Sequence, residues 1–419
     1  MDGKLSDASS PATPLHIALV TETYPPEVNG VALTLARLVT GLRQRSHDVQ
    51  LIRPRQTKLE APARGPGLTE VLTPGLPIPG YPGLRFGLPA RRALHRLWSQ
   101  NPPDIVHVAT EGPLGAAAVS AARALNLPIS SGFHTNFQAY SHHYRLGWLR
   151  GLVTRYMRRF HNRTDLTLVP TVEMARELAA DGYRNVDVLA RGVDTQLFSP
   201  RRRSQELRQS WGATENTLVV AYVGRLAPEK NLSLVTEAFD AIASRQPGAR
   251  LLFVGDGPSL TFLRQRHRRH IFAGMRLGEE LAAHYASADL FLFPSLTETF
   301  GNVVPEALAS GLAVVAFDRA AAADLIEDGS NGRTVSADDR QAFVMAAVNL
   351  ANDPARLATL RARASASVAP LTWECIHDCF AHKLSAVLTT QRAQSKSAVT
   401  QRRPSTPPAC DRFCGGDPP

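Results

Sequence analysis

The sequence has no apolar run long enough to cross a membrane. Among its 419 residues there is no stretch of about 20 consecutive apolar side chains, the length that a membrane-spanning helix needs. Residues 1–14 contain acids, polar residues and prolines without an apolar core, so we expect a disordered leader and no signal peptide. These absences favour a cytoplasmic protein.

Cysteine is scarce, and no D-x-D pair of aspartates occurs. The four cysteines form two C-x3-C pairs near the C-terminus, at Cys375, Cys379, Cys410 and Cys414. Tetrahedral metal sites more often have a gap of two residues, and the second pair lies in a segment rich in proline and glycine. We therefore expect free thiols, no metal site and no cofactor.

Charge and composition limit the class of protein. A hydrophobic content of 44% and a charged content of 20% are typical of soluble globular proteins, and the length predicts two domains. The formal net charge of +10 favours acidic partners, which include sugar nucleotides, anionic lipids and nucleic acids. Nucleic acid is the least favoured of these, because neither interleaved basic and aromatic residues nor zinc-finger spacing is present.

Apolar runs of strand length alternate with helix-period segments along the chain. This alternation predicts an α/β protein with doubly wound parallel sheets. The runs lie at 16–20, 48–52, 104–109, 128–134, 166–170 and 186–190 in the first half, and at 218–223, 250–255, 270–273, 290–294 and 313–317 in the second.

The pattern also predicts the domain boundaries. It pauses at 190–203, where proline and arginine accumulate, so we predict an N-terminal domain at 15–189 and a second domain at 190–371. Residues 54–87 show little periodicity and predict a long connection. Residues 391–419 are polar and rich in Pro, Ser and Gly, which predicts a disordered tail.

The segment 294–311, PSLTETFGNVVPEALASG, contains two glutamates eight residues apart. Pro305 suits the first turn of a helix, so the helix should begin near 301–304 with free amides at its positive end. Glu298 then lies in the preceding loop and Glu306 in the first turns, where both carboxylates could accept hydrogen bonds from sugar hydroxyls. A surface loop before an ordinary helix is the alternative. The flanking apolar runs favour a site at the carboxyl end of a strand, where α/β sheets bind ligands.

A second segment, VGRLAPEKN at 223–231, places two cations directly after a strand. Arg225 and Lys230 are five residues apart, and their charges could clamp a diphosphate and stabilise it as a leaving group. A solvated basic loop is the alternative.

Two further signals are weaker. Asn29 and Gly30 follow the first strand at the opening of a helix, where a glycine lets a ligand approach the backbone, but a turn glycine explains them equally well. His134 lies in SGFHTN at the end of a strand, and we expect it to be exposed at the carboxyl edge of the sheet. A lone histidine of this kind is usually structural or solvated.

A basic amphipathic helix is predicted near residues 149–163. Its apolar positions are Leu149, Leu152, Val153, Tyr156, Met157 and Phe160. Five arginines flank this face, namely Arg150, Arg155, Arg158, Arg159 and Arg163, and the first four are the predicted membrane or acceptor contacts. Such a helix can lie on an anionic membrane, which would make the protein peripheral on the inner face of the plasma membrane. A core helix with a solvated basic face is an equal alternative.

Together, GRLAPEK and the E-x7-E segment resemble the signatures of the family 4 glycosyltransferases, and the resemblance extends over about residues 15–389. It implies the GT-B architecture, in which two Rossmann-like domains face a central cleft. The nucleotide would bind mainly to the second domain and the acceptor to the first. A C-terminal helix at 372–390 would return to the first domain.

The resemblance also implies roles for individual residues. His134 would contact the donor sugar near its reacting carbon, Arg225 and Lys230 the diphosphate, Glu298 the sugar hydroxyls and Glu306 the ribose. Further donor-binding positions are implied at Asn29, Gly30, Gly224, Gly255, Gly257, Met275, Thr299, Phe300, Gly301, Asn302 and Val303.

Within this family, PPEVNGVALT, GFHTNFQAYSHHY and ARGVDTQLFSP most resemble bacterial GDP-mannose-dependent α-mannosyltransferases that act on lipid acceptors. The resemblance implies transfer with retention of configuration, a nucleotide sugar and a lipid or glycolipid as substrates, and no metal. One departure is the arginine-rich and short span 263–278, which bears on base recognition. The alternatives are a UDP-sugar-dependent glucosyl or sulfoquinovosyl lipid synthase, a GT-B epimerase or phosphorylase, and a non-catalytic binding protein.

Overall fold

The computed structural model describes residues 13–27, 29–77, 85–134 and 150–401, and in these ranges a pair of largely parallel sheets divides the chain into two lobes. The first lobe contains helices α1 (Gly30–Gln44), α2 (Arg91–Gln100), α3 (Pro113–Ala124), α4 (Arg150–His161) and α5 (Val172–Ala180). Its strands are β1 (His16–Val20), β2 (Asp48–Pro54), β3 (Arg64–Gly65), β4 (Leu68–Thr73), β5 (Gly75–Pro77), β6 (Arg85–Gly87), β7 (Ile105–Val108), β8 (Ile129–Gly132), β9 (Leu166–Val169) and β10 (Val186–Val188).

Eight of these strands form one sheet in the order β10-β9-β8-β7-β1-β2-β4-β3. All neighbours are parallel except β3 and β4, while β5 and β6 form a separate antiparallel pair. Apolar layers cover both faces of the sheet. Helices α2 and α3 supply one layer through residues such as Leu94 and Trp98, and α1 contributes to the other through Leu35 and Leu38.

The second lobe has a six-stranded, all-parallel sheet in the order β13-β12-β11-β14-β15-β16. Its strands are β11 (Val219–Val223), β12 (Arg250–Val254), β13 (Ile271–Gly274), β14 (Leu290–Phe293), β15 (Ala313–Phe317) and β16 (Gly332–Val335). Its helices are α6 (Gln205–Ser210), α7 (Leu232–Ala243), α8 (Leu260–Arg266), α9 (Gly278–Ala286), α10 (Val303–Ala309), α11 (Ala320–Leu325), α12 (Arg340–Ala351) and α13 (Pro354–Ser367). The central strands are buried along their whole length, which explains their nearly continuous apolar sequences.

The last helix, α14 (Trp373–Gln401), follows the second lobe in sequence but packs on the first. Phe380 and Leu384 are buried in the same core as Leu35 and Leu38 of α1. The chain therefore crosses between the lobes twice. The two crossings lie side by side, because the amide of Val193 donates to the carbonyl of Leu371 over 2.8 Å.

Two expectations about connections differ from the structure. The span 54–87 was predicted to be a long connection, but it contains β4, which pairs in parallel with β2. The sequence LTEVLT is short and flanked by glycines and prolines, which obscures its strand pattern. The last helix also extends into the predicted tail and ends at Gln401. Residues 391–401 contain no glycine or proline, so nothing in them interrupts a helix.

Most residues of the two predicted terminal segments lie outside the described part of the chain. Residues 1–12 of the predicted leader and 402–419 of the predicted tail lie outside the described ranges of the chain. Cys375 and Cys379 are free thiols, as predicted, whereas Cys410 and Cys414 also lie outside those ranges. None of the helices that the structure describes is both long and apolar enough to cross a membrane.

A candidate active site between the two lobes

Two loops at the carboxyl ends of β11 and β12 pack backbone to backbone. A Cβ atom on Gly255 would lie 2.0 Å from the carbonyl oxygen of Gly224, and one on Gly257 would lie 2.4 Å from that of Leu226. Both glycines also have positive φ angles, of 134° and 154°. The close contact between these loops by itself requires glycine at 255 and 257. Both positions were predicted to bind the donor, and their packing explains the glycines without a ligand.

The loop after β11 brings Lys230 to Glu298. Lys230 ends a short 3-10 turn, and its Nζ lies 2.5 Å from Oε1 of Glu298, in the loop after β14. Only 15% and 16% of these two side chains are exposed, so the pair is largely shielded from water. Arg225 lies in the same loop but is 56% exposed and pairs with Glu229 over 3.3 Å. The structure thus brings the two predicted segments together at the carboxyl edge of one sheet.

Helix α10 begins at Val303, within the range predicted for it. Gly301 before it has a φ of 88°, a left-handed conformation that favours glycine. The backbone amides of Gly301, Asn302 and Val303 donate to no acceptor among the described residues. The buried Oδ1 of Asn302 also has no partner among them. Thr299 is half-buried beside them. This turn therefore offers several free donors and one free acceptor next to Glu298.

Glu306 lies in the first turn of α10, and among the described residues its carboxyl group accepts one side-chain hydrogen bond. The hydroxyl of Tyr285, on α9, donates to its Oε2 over 3.0 Å. Burial raises the pKa of Glu306 to about 7, because the neutral acid is favoured away from water, and the hydrogen bond from Tyr285 only partly opposes this. The carboxyl group is therefore poised between its two protonation states at neutral pH.

His134 is less exposed than the sequence predicts. It follows β8, and its side chain turns back over Gly132, where an added Cβ would lie 2.5 Å from Nε2. That nitrogen is buried and has no hydrogen-bond partner in the part of the chain that the structure describes. Burial holds the pKa of His134 well below its ordinary value, and the charge of Arg191 lowers it further. The imidazole is consequently neutral at physiological pH.

Arg191 was not identified as a site residue from sequence. It lies on the segment that joins the lobes, is only 7% exposed, and shares a cavity with His134. Its guanidinium lies 5.9 Å from the ring centroid of Phe300, in the loop that carries Glu298. The sequence shows an arginine here but gives no sign that it is buried, since its burial depends on contacts with both lobes.

Three further positions predicted to bind the donor, Asn29, Gly30 and Met275, have different surroundings. Asn29 caps α1, with its Oδ1 accepting from the amides of Val31 and Ala32. A Cβ on Gly30 would meet no atom within 4 Å, so the backbone there is open to approach. Met275 follows the edge strand β13 and is 61% exposed, and no described contact joins it to the Lys230–Glu298 pair.

Helix α4 has some apolar side chains buried in the core and others exposed next to its arginines. Met157 and Phe160 are buried, whereas Leu152, Val153 and Tyr156 are exposed, Leu152 by 60%. The arginines have different environments. Arg155 and Arg159 are exposed, Arg158 is exposed but donates to the carbonyl of Asp181, and the side chain of Arg150 and all of Leu149 lie outside the described residues.

Comparison with known proteins assigns this architecture to a family. Residues 28–197 match the protein family described as "Glycosyltransferase Family 4". Residues 217–353 match the family described as "Glycosyl transferases group 1". A GDP-mannose-dependent alpha-mannosyltransferase from Corynebacterium glutamicum is 34% identical to this chain, covering 87% of each protein. The chain is a family 4 glycosyltransferase. It is therefore an enzyme, as its motifs predicted.

This glycosyltransferase also resembles an alpha-monoglucosyldiacylglycerol synthase from Streptococcus pneumoniae, at 29% identity over 75% of the chain and 74% of the relative. Among solved structures, the sucrose-phosphate synthase from Thermosynechococcus elongatus has a TM-score of 0.73 at 18% identity, covering 89% of this chain and 99% of that one. At such low identity the similarity concerns the fold, and it confirms the predicted GT-B architecture.

A pH dependence of donor binding to the glycosyltransferase is expected if Glu306 holds the ribose. A carboxylate can accept from two hydroxyls at once, so binding should tighten as pH rises through about 7, the pKa of Glu306. Between pH 6 and pH 8 the ionised fraction rises from about one tenth to about nine tenths, which predicts a roughly tenfold increase in affinity. Calorimetry with an intact sugar nucleotide measures this, because its diphosphate does not titrate in that range.

The Glu306→Gln variant is the control for that titration. Its amide keeps the shape of the side chain but cannot ionise, so its donor affinity should not change between pH 6 and pH 8. A variant that kept the wild-type slope would contradict the role of Glu306 and assign the titration to another group.

Proposed function

We propose that this glycosyltransferase transfers mannose from GDP-mannose to a hydroxyl group of a lipid or glycolipid, with retention of anomeric configuration. The observation that carries the proposal is the Lys230–Glu298 pair, which joins a cation and a hydroxyl-accepting carboxylate at one sheet edge. A neutral His134 lines a cavity together with Arg191, whose pKa the charge of Glu298 affects. The similarity to a GDP-mannose-dependent enzyme from Corynebacterium supports the donor, and the similarity to a diacylglycerol glucosyltransferase from Streptococcus supports a lipid acceptor.

The proposed reaction breaks one bond at the anomeric carbon of the sugar and forms another. The bond between the anomeric carbon and the diphosphate oxygen breaks, and the bonding electrons leave with the nucleoside diphosphate. Lys230 and Arg225 would stabilise the charge that develops there. The acceptor oxygen bonds to the anomeric carbon on the face that the diphosphate leaves, and its proton passes to a departing phosphate oxygen.

His134 would have a role at the sugar end. Its imidazole stays neutral, because burial and the nearby Arg191 charge both depress its pKa. A neutral ring does not repel the positive charge that builds on the sugar ring, whereas an imidazolium would. Glu298 would fix the sugar through its hydroxyls, so that the anomeric carbon is held near His134.

A donor with a different base is the second candidate. The Streptococcus relative is named a glucosyl lipid synthase, which favours a UDP-sugar-dependent glycolipid synthase as the alternative. An epimerase or phosphorylase of the same architecture, and a protein that binds sugar nucleotides without turnover, have no comparable support.

The test is a donor panel followed by product analysis. Thermal shifts with GDP, UDP and ADP sugars identify the donor, and mass spectrometry of lipids incubated with that donor identifies the product. We expect a hexosylated lipid from GDP-mannose. Conversion of the nucleotide sugar without an acceptor would indicate an epimerase, and an unchanged lipid extract would contradict a lipid acceptor. We also propose that no metal is needed, so turnover should be the same in EDTA.

Helix α4 supports a peripheral contact with an anionic membrane, and this can be tested by substitution. Replacing Leu152 with Glu removes an exposed apolar side chain and adds an acid to a basic face. Burial of one leucine is worth about 1.5–3 kcal/mol, so binding to vesicles containing phosphatidylglycerol should weaken by about 10- to 100-fold. Co-sedimentation measures the bound fraction.

A matched control for this experiment lies on the second lobe. Met345 on α12 is 55% exposed, close to the 60% of Leu152, but it lies away from the basic face of α4. Met345→Glu should bind vesicles like the wild type. Equal losses in both variants, or none in Leu152→Glu, would remove α4 from the membrane contact.

A further inference from the structure

Arg191 is a buried cation that pairs with no anion among the described residues. Among the described residues no carboxylate, hydroxyl or carbonyl accepts a hydrogen bond from its guanidinium, although the group has five N–H donors and the side chain is only 7% exposed. Burial lowers the pKa of Arg191 to about 10, and the charge of Glu298 opposes that shift, so it is still cationic at neutral pH. Isolated buried charges are costly, and proteins seldom keep them without a function.

The position of Arg191 links the two halves of the site. The residue belongs to the inter-lobe segment next to Gly192, which packs against the backbone of Trp373 in the second crossing. Its guanidinium lies over the ring of Phe300 of the second lobe, and Arg191 lines a cavity together with His134 of the first lobe. Glu298 is close enough to affect its pKa, although the two are not in contact.

Of the described cations Lys230, Arg225 and Arg191, only Arg191 forms no ion pair with a described residue. Lys230 is bound to Glu298, and Arg225 is bound to Glu229. In the proposed function, however, Lys230 engages the diphosphate while Glu298 engages sugar hydroxyls. When the ammonium group turns toward the phosphates, the carboxylate of Glu298 loses its counter-ion in a shielded environment. A second cation is then needed to keep Glu298 ionised and oriented.

We propose that Arg191 is that second cation: it acts as a positioning residue that becomes the counter-ion of Glu298 when the donor draws Lys230 to its diphosphate. This inference rests on the proposed function, since it assumes a sugar-nucleotide donor. It accounts for the missing partner of Arg191, because the partner becomes available only in the donor complex. It also explains why the arginine stacks on the loop that carries Glu298.

Two substitutions test the exchange, Arg191→Met and Arg191→Lys. Methionine keeps an apolar stem of comparable length without the charge, and lysine keeps the charge without the planar fork. Affinities are measured by calorimetry for GDP and GDP-mannose, and for UDP and UDP-glucose. These pairs separate the diphosphate from the sugar. With the diphosphate alone, water solvates the carboxylate of Glu298 after Lys230 has left it, whereas the sugar of the intact donor displaces that water and leaves Arg191 as the counter-ion.

The Met variant should lose about tenfold or more in affinity for the sugar nucleotide, while affinity for the matching nucleoside diphosphate stays within about twofold. The Lys variant should recover most of the loss. The melting temperature of the free Met variant should be unchanged or higher, because the substitution removes an uncompensated buried charge. A merely structural arginine would give the opposite result, with a lower melting temperature.

Two outcomes would overturn the inference. Equal losses for diphosphate and sugar nucleotide would mean that Arg191 binds phosphate directly, and a lower melting temperature with both affinities reduced would mean a structural role. Lys230→Ala is measured in parallel. If it leaves diphosphate affinity unchanged, the assignment of Lys230 in the proposed function fails, whatever the Arg191 variants show.

Discussion

Lys230→Ala is expected to reduce turnover by about 10²- to 10³-fold, the usual loss when one charge-stabilising donor is removed from an active site. The side chain is only 15% exposed, so its charge acts in a shielded environment and is not replaced by water without loss. The substitution also leaves Glu298 without its ion-pair partner. We therefore expect weaker diphosphate binding together with the loss of turnover.

The measurement is single-turnover transfer from the donor that the panel identifies, with affinity for the nucleoside diphosphate measured separately. Lys383 provides a matched control, because it is 18% exposed and forms an ion pair with Asp187 on the first lobe. Lys383→Ala should lose some stability but keep its turnover. Wild-type turnover in Lys230→Ala, with the donor bound normally, would remove this lysine from the chemistry.

Glu298→Gln is expected to reduce turnover by about 10²-fold or more, while affinity for the nucleoside diphosphate without sugar stays nearly constant. The amide keeps the size of the side chain and can still accept from Lys230. It has one acceptor oxygen where the carboxylate has two, and its NH2 group donates where the second oxygen accepted, so a sugar hydroxyl that donates to that oxygen loses its acceptor. The loss should therefore appear with the sugar nucleotide and not with the diphosphate alone.

The control for Glu298→Gln is Asp165→Asn. Asp165 is 22% exposed, compared with 16% for Glu298, and pairs with Arg123 over 2.9 Å at the amino end of β9. This is the opposite edge of its sheet from the site. Asp165→Asn should reduce stability and leave turnover intact. Matching losses in both variants would show that Glu298 matters through folding and not through the sugar.

Much of this site could be predicted because its residues follow directly from buried strands. Arg225 and Lys230 come just after β11, and Glu298 just after β14, which is a neighbour of β11 in the sheet. The carboxyl ends of neighbouring parallel strands meet at one edge, so the two segments had to converge. Local signals such as Pro305 and Gly301 then indicated the start of α10.

What could not be predicted depends on contacts between distant segments. Arg191 is buried next to Phe300 of the second lobe, in a cavity that His134 of the first lobe also lines, and neither neighbour has a local signature in the sequence. His134 was expected at an exposed edge, but its ring folds over Gly132 into the cavity shared with Arg191. The strand β4 was missed for a related reason, since only pairing with β2 gives its six residues a place in the sheet.

The most direct test of the account is a crystal structure of the enzyme with the intact sugar nucleotide that the panel identifies. The account predicts the diphosphate within hydrogen-bond distance of Lys230 and Arg225, sugar hydroxyls on the carboxylate of Glu298, and the anomeric carbon beside His134. A nucleotide bound elsewhere, or a sugar that leaves the Lys230–Glu298 ion pair closed and untouched, would contradict it.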